Sequence, residues 1–184
     1  IGGLVSHVDL VWEFAEVERF LMRLSAFCRV ILFDMRGAGV SDRTCGDAMP
    51  SERDWSADLM AVMDAARSKS ATLFAERDAG PMAMRFAAAH PQCVRSLILS
   101  NTTARYVRAD DYPCGEPPSA AEQFYKTILE YWGTERMAAV AVASRAGDTN
   151  CLRISARYQR SAGTPRSAAE KFRYFCEVDV RDCL

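Results

Sequence analysis

The chain is poor in the residues on which most hydrolytic and metal chemistry depends. It holds two histidines, His7 and His90, and three lysines, Lys69, Lys126 and Lys171. Its seven cysteines (Cys28, Cys45, Cys93, Cys114, Cys151, Cys176, Cys183) include no C-x-x-C pair, and their number is odd. That usage fits reduced intracellular thiols better than a disulfide framework. A zinc site needs clustered Cys or His ligands, and none lie close in sequence, so no metal and no cofactor are expected. No apolar run reaches the roughly 18 residues of a membrane span, and the first residues lack a basic segment leading into an apolar one. No membrane partner and a cytoplasmic location are therefore expected. The formal net charge is -1, and Arg is interleaved with Asp and Glu. Without a basic stripe, nucleic acid is not an expected partner.

What is present is enough for one core: 184 residues, 49% of them apolar, make one globular domain the expectation. Residues 30–33, 72–75 and 97–99 are short continuous apolar runs, the pattern of strands covered on both faces of a parallel sheet. Between them lie helical stripes. Val17, Phe20, Leu21, Leu24 and Phe27 share one face, as do Leu59, Val62, Met63 and Ala66, and 81–90 starts on Pro81, which suits a first helical turn. Alternating strand and helix predicts an α/β fold. After Asn101 only helices are expected. Ser119 with Glu122 reads as a capping box, Gly133 as a terminator, and Thr164 before Pro165 as a start whose helix buries Phe172 and Phe175. The polar stretch 43–53 reads as a surface connection.

Three phrases then carry a recognisable pattern: Gly3-Leu4-Val5-Ser6-His7-Val8-Asp9; Phe33-Asp34-Met35-Arg36-Gly37-Ala38-Gly39-Val40-Ser41-Asp42-Arg43; and 86–99 with its turn His90-Pro91-Gln92-Cys93-Val94-Arg95. They resemble the α/β-hydrolase family, in which F-D-x-R-G-x-G-x-S marks the loop after the fourth strand. Ala104-Arg105-Tyr106, Asp111-Tyr112-Pro113 and Glu177-Val178-Asp179-Val180-Arg181-Asp182 resemble, more narrowly, the hydrolase-like domain N-terminal to the cyclase domain of actinobacterial class III adenylate cyclases. The resemblance spans nearly the whole chain. It implies a partial α/β-hydrolase fold, a mostly parallel sheet with a helical cap insertion. Residues 1–118 would form a truncated core lacking early strands, and 119–184 a helical cap ending before the last core strands. In the family's sheet order, 1-2-4-3-5-6-7-8, Ile1 falls at the end of the third strand, so that the beginning of the fold is expected to be lost. The fourth and fifth strands are then left without the strand that separates them, and their edge groups must pair anew, meet another chain or stay open. Self-association through that edge is one expected outcome.

The resemblance also locates the chemistry. A hydrolase of this fold sets its nucleophile on a tight strand-to-helix turn flanked by small residues, G-x-S-x-G. Aligned without gaps, Arg77 takes the nucleophile position, with Ala75 and Ala79 where the glycines belong. A protonated guanidinium has no lone pair with which to attack. A shift of one residue would bring Asp78 to the elbow, as in members that attack with a carboxylate, but would put Glu76 where a small residue is wanted. Either nucleophile needs a base, which is usually histidine. His7 follows the loop whose Leu4 amide would serve as oxyanion donor, so it is the weak candidate; a loop or capping role is the alternative. His90 reads as structural. Leu4, His7, Arg77 and Asp78 are thus the candidate ligand-binding residues. Arg77 could pair with Glu76 and Asp78 or receive an anionic small molecule beside the helix that begins near Pro81. The expected function is a non-catalytic hydrolase-like domain or gene remnant binding a small ligand. The rivals are an active esterase- or dehalogenase-type hydrolase and an interaction module completed by another chain.

Overall fold

The computed structural model describes residues 3, 5–43 and 49–184. Leu4 lies outside the described residues, as do residues 44–48 of the expected connection at 43–53. The helix after that connection begins at Glu52, capped by Ser51. Ser51 Oγ accepts the Asp54 N–H, and the Asp54 carboxylate accepts the Ser51 N–H in return at 2.9 Å. Each partner thereby satisfies a donor that the helix terminus would leave orphaned.

Among the described residues the sheet is a two-stranded parallel ladder. Strand β1 (Ala71–Glu76) pairs with β2 (Val94–Ser100), Leu73 opposite Leu97 and Ala75 opposite Leu99. A parallel pair needs a crossover, supplied by helix α3 (Gly80–Ala89). Helices α1 (Ala15–Ser25) and α2 (Glu52–Ala65) precede this unit. On one flank, Leu59 and Met63 of α2 pack with Leu73, Phe86 and Cys93. Where α3 meets the sheet, Ala75, Ala79 and Ala83 are fully buried, and their small side chains allow that close approach.

Residues 30–33 form no strand, which corrects the sequence expectation. Phe33 packs against the α2, β1 and α3 cluster, but among the described residues the segment has no ladder partner. An apolar run supplies the side chains of a strand; a strand also requires a neighbour's N–H and C=O groups.

Four helices follow β2: α4 (Pro118–Tyr131), α5 (Glu135–Ala141), α6 (Thr149–Ala162) and α7 (Pro165–Glu177). The expected capping box at Ser119 and Glu122 is not formed. Pro118 takes the first helical position, where its missing N–H costs little, and Pro117 is the N-cap with no side-chain hydrogen bond. Thr164 does cap α7, accepting the Ser167 N–H at 3.1 Å. Gly133 ends α4 with φ +75°. Ile128, Met137, Ala168 and Ala169 form the core of this helical group, with Val5 packed against them.

Candidate functional site

The site is built on two backbone devices, a loop at 34–42 and a turn at 76–80, with α6 and α7 above them. Asp34 organises the loop. One carboxylate oxygen accepts the Ser6 hydroxyl at 2.6 Å, the other accepts the N–H groups of Val8 and Val40 at 3.0 Å each, and its carbonyl accepts the Ser41 hydroxyl at 2.7 Å. Gly39 holds φ +51°, and a Cβ there would collide with the Asp34 carboxylate, so both the conformation and the close approach require glycine. Gly37 also has positive φ and donates its N–H to the Asp42 carbonyl at 2.9 Å. Arg36 turns away from the loop onto α2, where its fork grips both oxygens of Asp58, with Asp54 3.5 Å away. Every polar position of F-D-x-R-G-x-G-x-S thus has a structural task.

In the turn, Arg77 alone takes the left-handed conformation, φ +53°. That region costs a non-glycine residue roughly 1 to 2 kcal/mol, and it is held by what surrounds it. Ala75 and Ala79 are fully buried on either side. The Thr102 hydroxyl at the end of β2 donates to the Arg77 carbonyl, and Gly80 is so close to Thr102 that a Cβ would collide with it. The Arg77 side chain is half-exposed and lies 3.6 Å from Glu76. Asp78 leaves in another direction, its carboxylate against the backbone of Gly3. The two carboxylates expected to gather around Arg77 are therefore divided: Glu76 accompanies it, and Asp78 lies at Gly3.

Asp78 instead contributes to the field around Lys171. This lysine sits on α7, 7% exposed, and donates to the Gly37 carbonyl at 2.9 Å. Desolvation pushes its ammonium down to about 8; the carboxylates of Asp78 and Asp34 oppose that fall, and Arg43 adds to it. Sequence reasoning missed Lys171. The available signal was its spacing, since Ala168, Lys171, Phe172 and Phe175 fall on one face of α7, where a lysine interrupts an otherwise apolar stripe.

His7 accepts the Leu10 N–H on Nδ1 at 3.3 Å, closing the first turn of the short 3-10 helix Leu10–Glu13. In that arrangement Nδ1 is engaged as an acceptor by the backbone. The His7 N–H donates to the Tyr158 hydroxyl of α6 at 3.2 Å. Burial raises the Tyr158 phenol and keeps it protonated, with Asp34, Glu76 and Asp78 acting in the same direction. His90 ends α3, its Nε2 3.0 Å from the Ser56 hydroxyl of α2, remote from Arg77 in sequence and contact. The structure thus brings Gly3, Asp78, Lys171, Asp34 and the loop carbonyl of Gly37 into one neighbourhood and leaves His90 out of it. Among the described residues no group of three His, Cys, Asp or Glu side chains could hold a metal ion, and no helix is long and apolar enough to cross a membrane.

No family profile matches the chain, and no curated protein matches it in sequence. Its shape does match solved structures. A bromoperoxidase from Bacillus anthracis superposes with a TM-score of 0.73 at 17% identity, over 94% of this chain and 63% of the other. An esterase from Exiguobacterium antarcticum gives 0.69 at 17% identity, over 82% and 56%. A hydrolase from Pseudomonas aeruginosa gives 0.67 at 20% identity, over 96% and 62%. The chain has the α/β-hydrolase fold, and it spans less than two thirds of the length of each of these proteins.

Proposed function

We propose that this chain is a hydrolase-fold domain that does not carry out acyl transfer, and that it serves as a ligand-sensing domain related to the regulatory domain of a class III adenylate cyclase. One observation carries the first half: within the strand-to-helix turn at 76–80, the residue with the left-handed backbone, φ +53°, is Arg77. That conformation is the one a strand-to-helix elbow gives its nucleophile, and a guanidinium in that place cannot attack a carbonyl. Asp78, the alternative nucleophile, lies one residue past the strained position. The nearest histidine candidate, His7, spends its Nδ1 lone pair on the backbone of Leu10. The cyclase relation rests on the sequence resemblance at 104–106, 111–113 and 177–182.

The ligand assigned to the elbow is a small anion, with Arg77 as its charge partner. The test has two arms. Purified protein is incubated with p-nitrophenyl acetate and with a serine-directed fluorophosphonate, and neither turnover above the buffer rate nor a covalent adduct is expected. Calorimetry with short monocarboxylates and inorganic phosphate follows, where any binding should disappear in Arg77→Ala. Ester turnover lost in Asp78→Asn would overturn the non-catalytic reading, and anion binding unchanged in Arg77→Ala would overturn the site.

A second reading, an interaction module completed by another chain, has its own support. Phe20, Met22 and Phe27 around α1 and Ile98 and Leu99 on β2 are exposed, beside a sheet of only two strands among the described residues. Exposed apolar surface next to an open strand edge favours association. Sedimentation equilibrium over a hundredfold concentration range tests it: a monomer throughout counts against this reading.

A further inference from the structure

The apolar stripe that the sequence assigns to one face of α1 is not turned inward as a whole. Within the helix only Leu21 is buried. Phe20 is 45% exposed, and Phe27, in the turn that continues the helix with its N–H on the Leu24 carbonyl at 3.2 Å, is 77% exposed. A surface helix normally packs its apolar side on the core. Here Leu21 does so, while Phe20, Leu24 and Phe27 run along the outer side at spacings of four and three residues, the period of a seam between two helices.

That outer side is concave. Glu16, Arg19, Phe20, Arg23, Leu24 and Phe27 line a groove of about 410 Å³. Its beginning is anchored to the helical group: Phe14 meets Tyr158 edge-on with ring centroids 5.6 Å apart, Glu13 pairs with Arg157 at 2.9 Å, and Glu16 pairs with Arg145 at 2.6 Å. Beside the groove the Phe20 ring lies 5.7 Å from that of Phe74 on β1, and Phe74 is paired in the ladder with Ile98, which is 49% exposed. The apolar surface thus continues onto the sheet face opposite α2 and α3. A parallel sheet is ordinarily covered on both faces, and by helices.

Charge selects the kind of cover. Glu13 and Glu16 are already matched by arginines of the helical group. Arg19 and Arg23, one turn apart on a rim of the groove, have no hydrogen bond or ion pair among the described residues, and Arg19 is only the smallest of the influences on Glu16. Glu18 stands two residues from Phe20 and therefore does not share its side of the helix. The groove has an apolar floor and a basic rim. A second copy docked by the same face would bring its own Arg19 and Arg23 there, with its Glu16 already paired. A bilayer surface is flat, whereas the side chains of a helix form ridges that fill a groove.

The geometry points to a docking site on α1 for an amphipathic helix of another protein, its apolar stripe seated on Phe20, Leu24 and Phe27 and its Asp or Glu residues on Arg19 and Arg23. This rests on the reading of the chain as a module completed by another chain, and it names the chemistry of that chain.

Fluorescence anisotropy with the full chain provides the test. The probe is a labelled three-heptad peptide with leucine at a and d and glutamate at e and g, whose like charges keep it monomeric; the control carries lysine in place of glutamate. The acidic peptide should bind saturably, about tenfold more tightly than the basic one at low salt, and more weakly as salt is added. Phe20→Ala combined with Phe27→Ala should weaken it by about tenfold or more. Arg19→Glu combined with Arg23→Glu should reverse the preference, a gain that an unfolded variant could not show. No saturable binding, equal binding of the two peptides, or a preference unchanged in the charge-reversed variant would each overturn the proposal. Recruitment to phosphatidylglycerol vesicles without peptide binding would overturn it in favour of a lipid surface. A sedimentation dimer that persists in the double alanine variant, with no peptide bound, would remove this site and leave the broader reading standing.

Discussion

The loop at 34–42 and the turn at 76–80 are the two backbone devices of this site, and they differ in what they have kept. The loop retains a side chain for each hydrogen bond its shape needs: Asp34 binds Ser6, Val8 and Val40, and glycine occupies the position where a Cβ would strike that carboxylate. The turn has a left-handed apex at Arg77. Its left-handed apex is maintained by packing, through Ala75, Ala79 and the contact of Gly80 with Thr102, and by the Thr102 hydroxyl on the Arg77 carbonyl, while the apex side chain is a half-exposed arginine. Backbone geometry at such a turn can therefore be held by its neighbours, because the atoms that enforce φ are not those of the apex side chain.

The contrast is most open to attack at Asp34. Asp34→Ala strands the N–H groups of Val8 and Val40 and the Ser6 hydroxyl together, and should cost about 4 kcal/mol in urea unfolding, the range expected when a buried hydrogen-bonded network loses its centre. A loss below about 1 kcal/mol would mean that the loop, like the turn, is held by packing.

Lys171 joins the two devices, touching Gly37 of the loop and the field of Asp78 in the turn, and its effect is a pH dependence. The folded protein releases this proton near pH 8, and the unfolded chain keeps it to about 10.5. Between those values the unfolded state binds more protons, so this group makes stability rise with pH. Other groups also titrate there, Cys176 among them, pushed up by burial to about 11. The quantity to measure is therefore the stability of the unmodified protein minus that of Lys171→Met. It should increase by about 2 kcal/mol from pH 7.5 to 10, and a flat difference would show that the ammonium is not desolvated.

The smallest effect belongs to the turn. Arg77→Gly relieves the left-handed strain at the cost of a looser unfolded chain, for a net gain of up to about 1 kcal/mol. A loss of stability in the same chemical denaturation experiment would mean that the arginine side chain, rather than packing, holds the elbow.

Much of this was legible in one dimension. The apolar runs at 72–75 and 97–99 became β1 and β2, and Thr164 before Pro165 capped α7. These features are local, written in side-chain period or in the steric demands of a few consecutive residues. The misreadings share a physical cause. The run at 30–33 has the composition of a strand, but a ladder is a property of two segments, and no partner is present among the described residues. Ser119 and Glu122 had the spacing of a capping box, yet the adjacent Pro118 started the helix first.

The sequence by itself determined the alternation of apolar runs and helical stripes and the guanidinium at position 77, since an arginine is an arginine in any fold. Only the tertiary structure decided that Lys171 is desolvated and that Asp78 turns from Arg77 toward Gly3. Those properties depend on distances between residues far apart in the chain, and electrostatics and burial act through space.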